Sequence, residues 1–444
     1  MDRLSRLKRL GIALYPACGS RTHTIAQIYS SDQSMTTPVI SGRLRALNIG
    51  AGTCVVEDAS GCLSLYLEDN MDAETTALLN ELEEGDIVEC GVRRTSQEMT
   101  LKSLRLLVPV LGPLHDIVPD ASLTLKSEIL THTSRFFQDH GFLNVETPHF
   151  MTVPDLTPGI SSFKTTYHDP AGSTIDYYLQ SSPEHYMKRL LALGYENIFQ
   201  ICRFFRDGER YDTHHPEFIG LEWYQAYDDY RGVMETMEEY IVSMAINITG
   251  DSTINYQGQD INLGRPWPRR RVNDLIRELT GIDLEQCTTR ESLNAAVADR
   301  GVDVAGAESR EDLFHRLFVD QIEPELPRDR PILLMDYPAY LPSLARSLDS
   351  DPQFVERFEL YIGGLELANA FTELNDPREQ RERYENLLKS ERTRGYSGGI
   401  DEQFIQALEY GMPPAGGIAL GIDRLAMIFA DTSKIDDVIA FRNY

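Results

Sequence analysis

The fold is decided by residues 197–227, which read NIFQICRFFRDGERYDTHHPEFIGLEWYQAY. Two apolar runs flank a charged loop of about ten residues, a pattern that predicts an antiparallel hairpin. Alternate side chains of a strand share a face, so Phe218, Glu222 and Tyr224 are predicted to point away from Trp223. One face of this hairpin is therefore apolar, and the other can hold a ligand.

A single arginine marks the point where the charged loop begins. Arg206 follows the first apolar run directly, and a guanidinium in such a position can bind a phosphate or carboxylate through two hydrogen bonds. The alternative is a surface hairpin whose charges are solvated. Three further stretches of the sequence argue against that alternative.

The first of these stretches is RFELYIGGLELANAFTEL, residues 357–374. If Gly363 and Gly364 form a two-residue turn, Glu359 and Glu366 become diagonal neighbours on one face of a second hairpin. Two carboxylates so placed can share a magnesium ion that bridges the phosphates of a nucleotide.

Farther along the same stretch, three side chains occupy odd-numbered positions, whereas Glu366 occupies an even-numbered one. Asn369, Phe371 and Glu373 fall on the opposite face if the strand is regular. A β-bulge or a bend is therefore required if these residues and the two glutamates contact one ligand.

The other two stretches each place one charged residue at the start of a helix. In PPAGGIALGIDRLAMIFA, residues 413–430, a glycine-rich strand leads into an apolar helix with Arg424 in its first turn. A cation is unfavourable at that end of the helix dipole, so Arg424 makes sense chiefly beside a bound anion. In SPEHYMKRLLALG, Glu184 lies in the lead-in to an amphipathic helix.

Together these stretches supply the charges for two kinds of ligand. The two arginines match the phosphates of a nucleotide, and Glu359 with Glu366 matches its magnesium ion. Glu184, Glu222 and Glu373 remain as negative charge for a cationic substrate.

The N-terminal part of the chain has a different pattern. Between Val39 and Leu107, short alternating runs broken by glycine predict a barrel of about five strands, of the oligonucleotide-binding type. Tyr66 is its only aromatic residue, and residues 36–115 carry 6 basic and 12 acidic side chains. This composition favours a structural or protein-docking barrel over a nucleic-acid-binding one.

A proline- and glycine-containing segment separates the barrel from the rest of the chain. Pro109, Gly112 and Pro113 mark a linker. We therefore predict two domains, residues 1–115 and residues 116–444.

Overall composition excludes several classes of protein. The 444 residues carry a formal net charge of −27, which opposes non-specific attraction to nucleic acid. No apolar run is long enough to span a membrane, and the 6 cysteines include no CxxC pair, which argues against a zinc knuckle. We expect a cytoplasmic protein with no membrane partner.

The motifs resemble those of the class II aminoacyl-tRNA synthetases, and within that family the lysine branch, over essentially the whole chain. NVETPHF looks like the dimer-forming first motif, FRDGERYDTHHPEF like the second and GIALGIDRLAMI like the third, while GLELANAFTELNDPREQ and ALEYGMPPAGG are typical of the lysine branch. The resemblance implies an α+β fold with an antiparallel sheet flanked by helices. It also implies a homodimer that uses ATP and Mg²⁺ to activate an amino acid as its adenylate.

The resemblance further implies a role for each candidate residue. Arg206 and Arg424 would be catalytic, with Arg206 on the α-phosphate of ATP and Arg424 on the γ-phosphate. His214 would also reach the γ-phosphate, Phe218 would stack on adenine, and the two glutamates of the second hairpin would ligate magnesium. The implied amino-acid pocket consists of Gly159, Glu184, Glu222, Tyr224, Asn369, Phe371, Glu373 and Ala419.

Two relatives share this catalytic domain, namely the elongation factor P lysine lysyltransferase and lysyl-tRNA synthetase. Sequence segments such as SPEHYMKRLLALG, FQICRFFR and DYPAYLPSLAR look closer to those of the lysyltransferase. Ala419 also favours it, because tRNA-charging relatives usually have glycine there and one methyl group can discriminate between substrates by about 1–3 kcal/mol. The N-terminal barrel and the opening RLKRLGIALYP instead resemble lysyl-tRNA synthetases, although TCVVED lacks the aromatic residue that stacks on the anticodon in those relatives.

The leading hypothesis is therefore an ATP-dependent ligase that transfers lysine or (R)-β-lysine to a lysine side chain of elongation factor P. The alternative is a lysyl-tRNA synthetase that charges tRNA(Lys). A third hypothesis is a non-catalytic paralogue that binds lysine or a protein partner. Gly208 supports the third, because both relatives usually carry glutamate at that position.

Overall fold

The structure is a computed structural model that describes residues 2–30, 37–68, 70–95, 98–112, 120–157, 159–341, 343–389, 396 and 398–441. The chain divides into two compact units, Met1–His115 and Asp116–Tyr444. Pro113, part of the predicted linker, lies outside the described residues. Within the described ranges, no helix combines the length and apolar character that a bilayer crossing requires.

The first unit is a closed five-stranded barrel, as the alternating runs predict. Its strands follow the order β1-β2-β3-β5-β4, and inward-facing residues such as Ile40, Val56 and Leu65 are fully buried. Tyr66 lies on the outside and is 46% exposed. The elements are α1 (Arg3–Arg9), α2 (Ile25–Ser30), β1 (Val39–Asn48), β2 (Thr53–Asp58), β3 (Gly61–Leu67), α3 (Ala73–Leu79), β4 (Ile87–Arg94) and β5 (Met99–Val108).

The second unit is built on a large mixed sheet flanked by helices. Its strands are β6 (Leu143–Asn144), β7 (Phe150–Met151), β8 (Lys164–His168), β9 (Thr174–Leu179), β10 (Asn197–Phe205), β11 (Glu217–Ala226), β12 (Thr253–Tyr256), β13 (Gln259–Asn262), β14 (Arg269–Arg271), β15 (Ile332–Pro338), β16 (Phe354–Ile362), β17 (Leu365–Thr372) and β18 (Ala415–Gly421). Its helices are α4 (Asp120–Asp139), α5 (Glu184–Ala192), α6 (Tyr230–Thr249), α7 (Val272–Thr280), α8 (Arg290–Asp299), α9 (Arg310–Leu317), α10 (Pro377–Lys389), α11 (Glu402–Gly411) and α12 (Ile422–Phe429).

Eight strands form the main sheet, in the order β14-β15-β16-β17-β18-β11-β10-β6. The six central strands pair antiparallel, and each edge strand pairs parallel with its neighbour. This confirms the predicted α+β fold. Leu221 and Trp223 of β11 are fully buried in a hydrophobic core shared with Phe137 of α4 and Met237 of α6. The helices therefore cover the apolar face of the predicted hairpin.

The second hairpin has both features that the sequence required. Gly363 and Gly364 have φ values of 62° and 84°, which suits a two-residue turn between antiparallel strands. Pairing shifts between Leu360 and Tyr361, so β17 contains one extra residue at that point. Because of this β-bulge, side chains on both sides of it can face one ligand.

Candidate functional site

A cavity of about 780 Å³ lies on the side of the sheet opposite Leu221 and Trp223. Its wall brings together segments that are more than 250 residues apart in the sequence, from Gly159 to Arg424. Every candidate residue lines it, namely Gly159, Glu184, Arg206, His214, Phe218, Glu222, Tyr224, Glu359, Glu366, Asn369, Phe371, Glu373, Ala419 and Arg424.

Arg206 lies at one end of the cavity, just beyond β10. Its guanidinium carbon is 5.3 Å from the centre of the Phe218 ring, and its nearest carboxylate, Glu209, is 3.8 Å away. The Nε atom is buried and has no hydrogen-bond partner in the described part of the chain. A guanidinium with an unused buried donor fits an anionic ligand.

Arg424 and His214 form a second cationic group in the same region. Arg424 is in the first turn of α12, as predicted, and donates hydrogen bonds to the carbonyl oxygens of Thr213 at 3.2 Å and Glu366 at 2.7 Å. Its Nη2 lies 2.8 Å from His214 Nε2. Burial, Arg424 and Arg206 lower the pKa of His214 to about 4. His214 is therefore neutral at pH 7 and accepts from Arg424.

Glu359 is held firmly by its neighbours. It accepts hydrogen bonds from the hydroxyl groups of Tyr337 at 2.6 Å and Tyr361 at 2.7 Å, and from Arg357 Nη2 at 2.5 Å. A carboxylate has about four lone-pair positions, so one remains for a further ligand.

The negative charge of Glu366 is compensated by fewer hydrogen bonds and cations than that of Glu359. The nearest cation to its carboxylate is Arg424, at 3.8 Å. Burial and the charge of Glu359 both raise the pKa of Glu366. Two carboxylate groups whose charges repel each other across a cavity provide the oxygen ligands that Mg²⁺ prefers, so this pair fits a magnesium ion.

The other end of the cavity, the anionic end, is lined by carboxyl groups, of which those of Glu222 and Glu373 are buried. Glu222 accepts hydrogen bonds from Ser182 Oγ at 2.5 Å and the Tyr224 hydroxyl at 3.0 Å, and burial together with Glu184 raises its pKa to about 8. Burial also raises the pKa of Glu373 to about 8. The Oε1 atom of Glu373 is buried without a hydrogen-bond partner among the described residues. Unsatisfied buried carboxylates fit a cationic ligand.

Between the two ends, three neighbouring strands supply the cavity floor. Ala419 of β18 pairs with Glu222 on one side and with Asn369 on the other. Arg357 donates a 3.0 Å hydrogen bond to Asn369 Oδ1 and lies 5.8 Å from the Phe371 ring centre. The floor is thus polar at Asn369 and narrowed by one methyl group at Ala419.

Several lining residues were not predicted from the sequence. The carboxylate of Glu373 packs against Gly417, where an added Cβ atom would lie 2.1 Å from Glu373 Oε1. The glycine pair in PPAGGIAL was a usable signal for this close approach. Arg357 and Ser182 carried no such signal, because their contacts with Asn369 and Glu222 join separate segments of the chain.

The second motif carries glycine at position 208, where the resemblance predicts glutamate. Gly208 has a φ of 82°, a left-handed conformation that favours glycine. The next residue, Glu209, lines the cavity and faces Arg206. An acidic group is therefore present near Arg206 even though position 208 carries none.

Comparison with known proteins identifies the family. Residues 117–443 match the family of class II tRNA synthetases (D, K and N), so the chain belongs to that family and is a ligase. It is 35% identical to a lysine–tRNA ligase of Carboxydothermus hydrogenoformans, over 99% of this chain and 96% of the relative. Lysine–tRNA ligases of Moorella thermoacetica and Bacillus subtilis are 34% and 32% identical, each over 99% of this chain and 96% and 95% of the relatives.

Proposed function

We propose that this protein is a lysyl-tRNA synthetase, which activates lysine with ATP and transfers it to tRNA(Lys). The observation that carries the proposal is that one cavity has two arginines, Arg206 and Arg424, at one end and buried glutamates at the other. Full-length similarity to lysine–tRNA ligases supports tRNA as the acceptor. On that basis we propose the tRNA alternative ahead of the elongation factor P hypothesis, which local sequence segments favour.

The anionic end suits lysine because lysine has two ammonium groups. Glu184, Glu222 and Glu373 surround that end, and Tyr224 fixes the carboxylate of Glu222. Each ammonium group of the substrate would pair with a carboxylate that is otherwise buried without sufficient compensation. An amino acid with an uncharged side chain has only one ammonium group. It would leave more of these carboxylates unpaired and would therefore bind poorly.

The cationic end suits the triphosphate of ATP. We assign adenine stacking to Phe218, the α-phosphate to Arg206, and the γ-phosphate to Arg424, oriented by the neutral His214. The carboxylate oxygen of lysine attacks the α-phosphorus, and the bond from that phosphorus to the pyrophosphate oxygen breaks. Catalysis here depends on positioning and charge stabilisation, and no protein nucleophile is needed.

Glu359 and Glu366 are the residues that would hold magnesium. When bound, the ion would supply positive charge beside the pyrophosphate leaving group. The tyrosine and arginine contacts of Glu359 keep its carboxylate fixed, while the less restrained Glu366 can adjust to the ion.

A lysine side chain of elongation factor P is the second candidate acceptor, with lysine or (R)-β-lysine as the activated substrate. Ala419 favours it, because its methyl group narrows the cavity between Glu222 and Asn369. The composition of the barrel weighs against tRNA, since residues 36–115 carry twice as many acidic as basic side chains.

We also propose that the protein acts as a cytoplasmic homodimer. Leu143, which directly precedes the first motif, and Phe150, its last residue, are 50% and 52% exposed. Tyr167 and Ile175, which pair between β8 and β9, are 49% and 43% exposed. A second copy would remove this apolar surface from water, and sedimentation of the wild-type protein would measure the dimer directly.

Lysine-dependent exchange of pyrophosphate into ATP tests activation. We expect the wild-type protein to catalyse it and Arg206→Ala to lose at least 100-fold in rate. Arg203→Ala is a matched control, because Arg203 lies three residues before Arg206 but pairs with Glu217 at the protein surface. A wild-type protein without exchange would refute the proposal.

Transfer of labelled lysine tests the acceptor. The adenylate formed by the wild-type enzyme is offered to tRNA(Lys) and to elongation factor P in parallel reactions. We expect label on tRNA. Label on elongation factor P alone would instead establish the second candidate function.

A further inference from the structure

A lysine of the protein itself lies behind the anionic end of the cavity. Lys188 is in α5 and its side chain is 0% exposed. Its Nζ atom is 2.5 Å from Glu184 Oε1 and forms a second ion pair with Glu373 Oε2. Glu184 and Glu373 line the cavity, whereas Lys188 is not part of its wall. The ammonium group is thus a second layer that supports two wall carboxylates.

This arrangement joins two distant elements at the site. Glu184 is the first residue of α5, and Glu373 follows β17, whose last residue is Thr372. The contact between Lys188 and Glu184 spans one helical turn, while that with Glu373 reaches the sheet. One ammonium therefore fixes the spacing between two carboxylates that belong to different parts of the fold.

The charge count of the anionic end depends on Lys188. Three carboxylates, those of Glu184, Glu222 and Glu373, and one ammonium give a formal charge of −2. A diamine substrate carries two positive charges at its ammonium groups, which balance the formal charge of −2. Without Lys188 the same substrate would leave one buried carboxylate unpaired, which is unfavourable in a low-dielectric site.

We propose that Lys188 is a positioning and specificity-determining residue that tunes the cavity to a substrate with two ammonium groups. This inference rests on the proposed function, because it takes lysine as the substrate. Lys188 acts through Glu184 and Glu373 and does not touch the substrate. The positive charge of Lys188 also favours the ionised form of Glu373, whose Oε1 atom has no hydrogen-bond partner among the described residues and can receive a substrate ammonium group.

The pH behaviour supports the same role. Burial lowers the pKa of Lys188, but Glu184 and Glu373 more than offset this and raise it above its ordinary value. Burial raises the pKa of Glu373 to about 8 even though Lys188 lowers it. Removing the ammonium would raise the pKa of Glu373 further. The charged and titratable groups that face this cluster are Glu184 of α5, Glu222 and Tyr224 of β11 and Tyr384 of α10.

The test uses Lys188→Met in the full-length protein, assayed by pyrophosphate exchange. We expect the KM for lysine to rise at least 10-fold, while the KM for ATP stays within about twofold. The pH profile of kcat/KM for lysine should move to higher pH, because Glu373 must be ionised to bind an ammonium group. Arg189→Gln is the control, since Arg189 is the next residue of α5 and its guanidinium lies over the Tyr186 ring.

A second variant separates charge from folding. Lys188→Ala leaves space for a small amine, and ethylammonium should restore at least part of its affinity for lysine, whereas tetramethylammonium, which has no N–H donor, should not. An unchanged KM for lysine in both variants would overturn the inference. So would a parallel loss for ATP and lysine with no pH shift and no rescue. Absence of lysine-dependent exchange in the wild-type protein would refute the proposed function itself.

Discussion

Glu359 and Asn369 are direct cross-strand partners in the β16–β17 hairpin, and both face the same cavity. The bulge that follows them brings Glu366 to that cavity as well, although its parity along a regular strand would direct it away from Asn369. A local irregularity of one residue thus joins the proposed metal ligands to the proposed amino-acid pocket.

Removing the hydroxyl group of Tyr337 should weaken magnesium use. Tyr337→Phe deletes one of the hydrogen bonds that fix Glu359, so we expect the magnesium concentration for half-maximal exchange to rise about 3–10-fold. We also expect a loss of about 1–2 kcal/mol in the free energy of unfolding. Magnesium titration of the exchange rate and denaturant unfolding measure the two effects.

Tyr340→Phe is the matched control for that variant. The Tyr340 hydroxyl is buried without a hydrogen-bond partner among the described residues, so its loss should be neutral or stabilising. Equal effects of the two substitutions on magnesium use would contradict the role given to Tyr337.

Adding one methyl group at Gly417 should displace Glu373. The new Cβ atom would lie 2.1 Å from Glu373 Oε1, so the carboxylate must move. We expect Gly417→Ala to raise the KM for lysine at least 10-fold with a small effect on the KM for ATP. Gly399→Ala is the control, since nothing lies within 4 Å of a Cβ atom there. A normal KM for lysine in Gly417→Ala would exclude Glu373 from substrate binding.

Ala419→Gly should improve the use of α-lysine. The substitution removes the methyl group between Glu222 and Asn369. One methyl group in a pocket can change the discrimination between two substrates by about 1–3 kcal/mol. We expect kcat/KM for α-lysine to rise about 5–10-fold relative to β-lysine, measured by exchange with each amino acid. An unchanged ratio would remove Ala419 from the specificity argument.

Lysine binding should become stronger as pH rises through about 8. Burial, together with Glu184, raises the pKa of Glu222 from 4.5 to about 8, and burial raises that of Glu373 to a similar value. A carboxyl group with a raised pKa in the folded state contributes stability below its unfolded pKa, and that contribution is lost as pH rises from about 4.5 to about 8. The substrate-free protein therefore loses stability over that interval, while ionised carboxylates gain affinity for ammonium groups.

Two measurements check this pH dependence. The increase in Tm caused by lysine should be larger at pH 8.5 than at pH 6.5. Calorimetry in buffers of different ionisation enthalpy should show proton release when lysine binds at pH 7. No proton release on binding, together with an equal Tm increase at the two pH values, would show that these carboxylates are already ionised in the empty cavity.

The sequence by itself determined the features that depend on local periodicity. Alternation in LEWY separated Glu222 from Trp223, and the glycine pair at 363–364 predicted the turn. The predicted place of Arg424 in the first turn of α12 was likewise confirmed. These features follow from strand and helix geometry over a few residues, so no knowledge of distant contacts is required.

Only the tertiary structure decided which groups support the site from behind. Lys188 has the spacing of an ordinary helix residue, and its pairing with Glu373 appears only when α5 packs near the end of β17. Tyr337 likewise contacts Glu359 from a neighbouring strand 22 positions away. Contacts of this kind depend on which elements become neighbours in the fold, and the periodicity of a single segment carries no information about its neighbours.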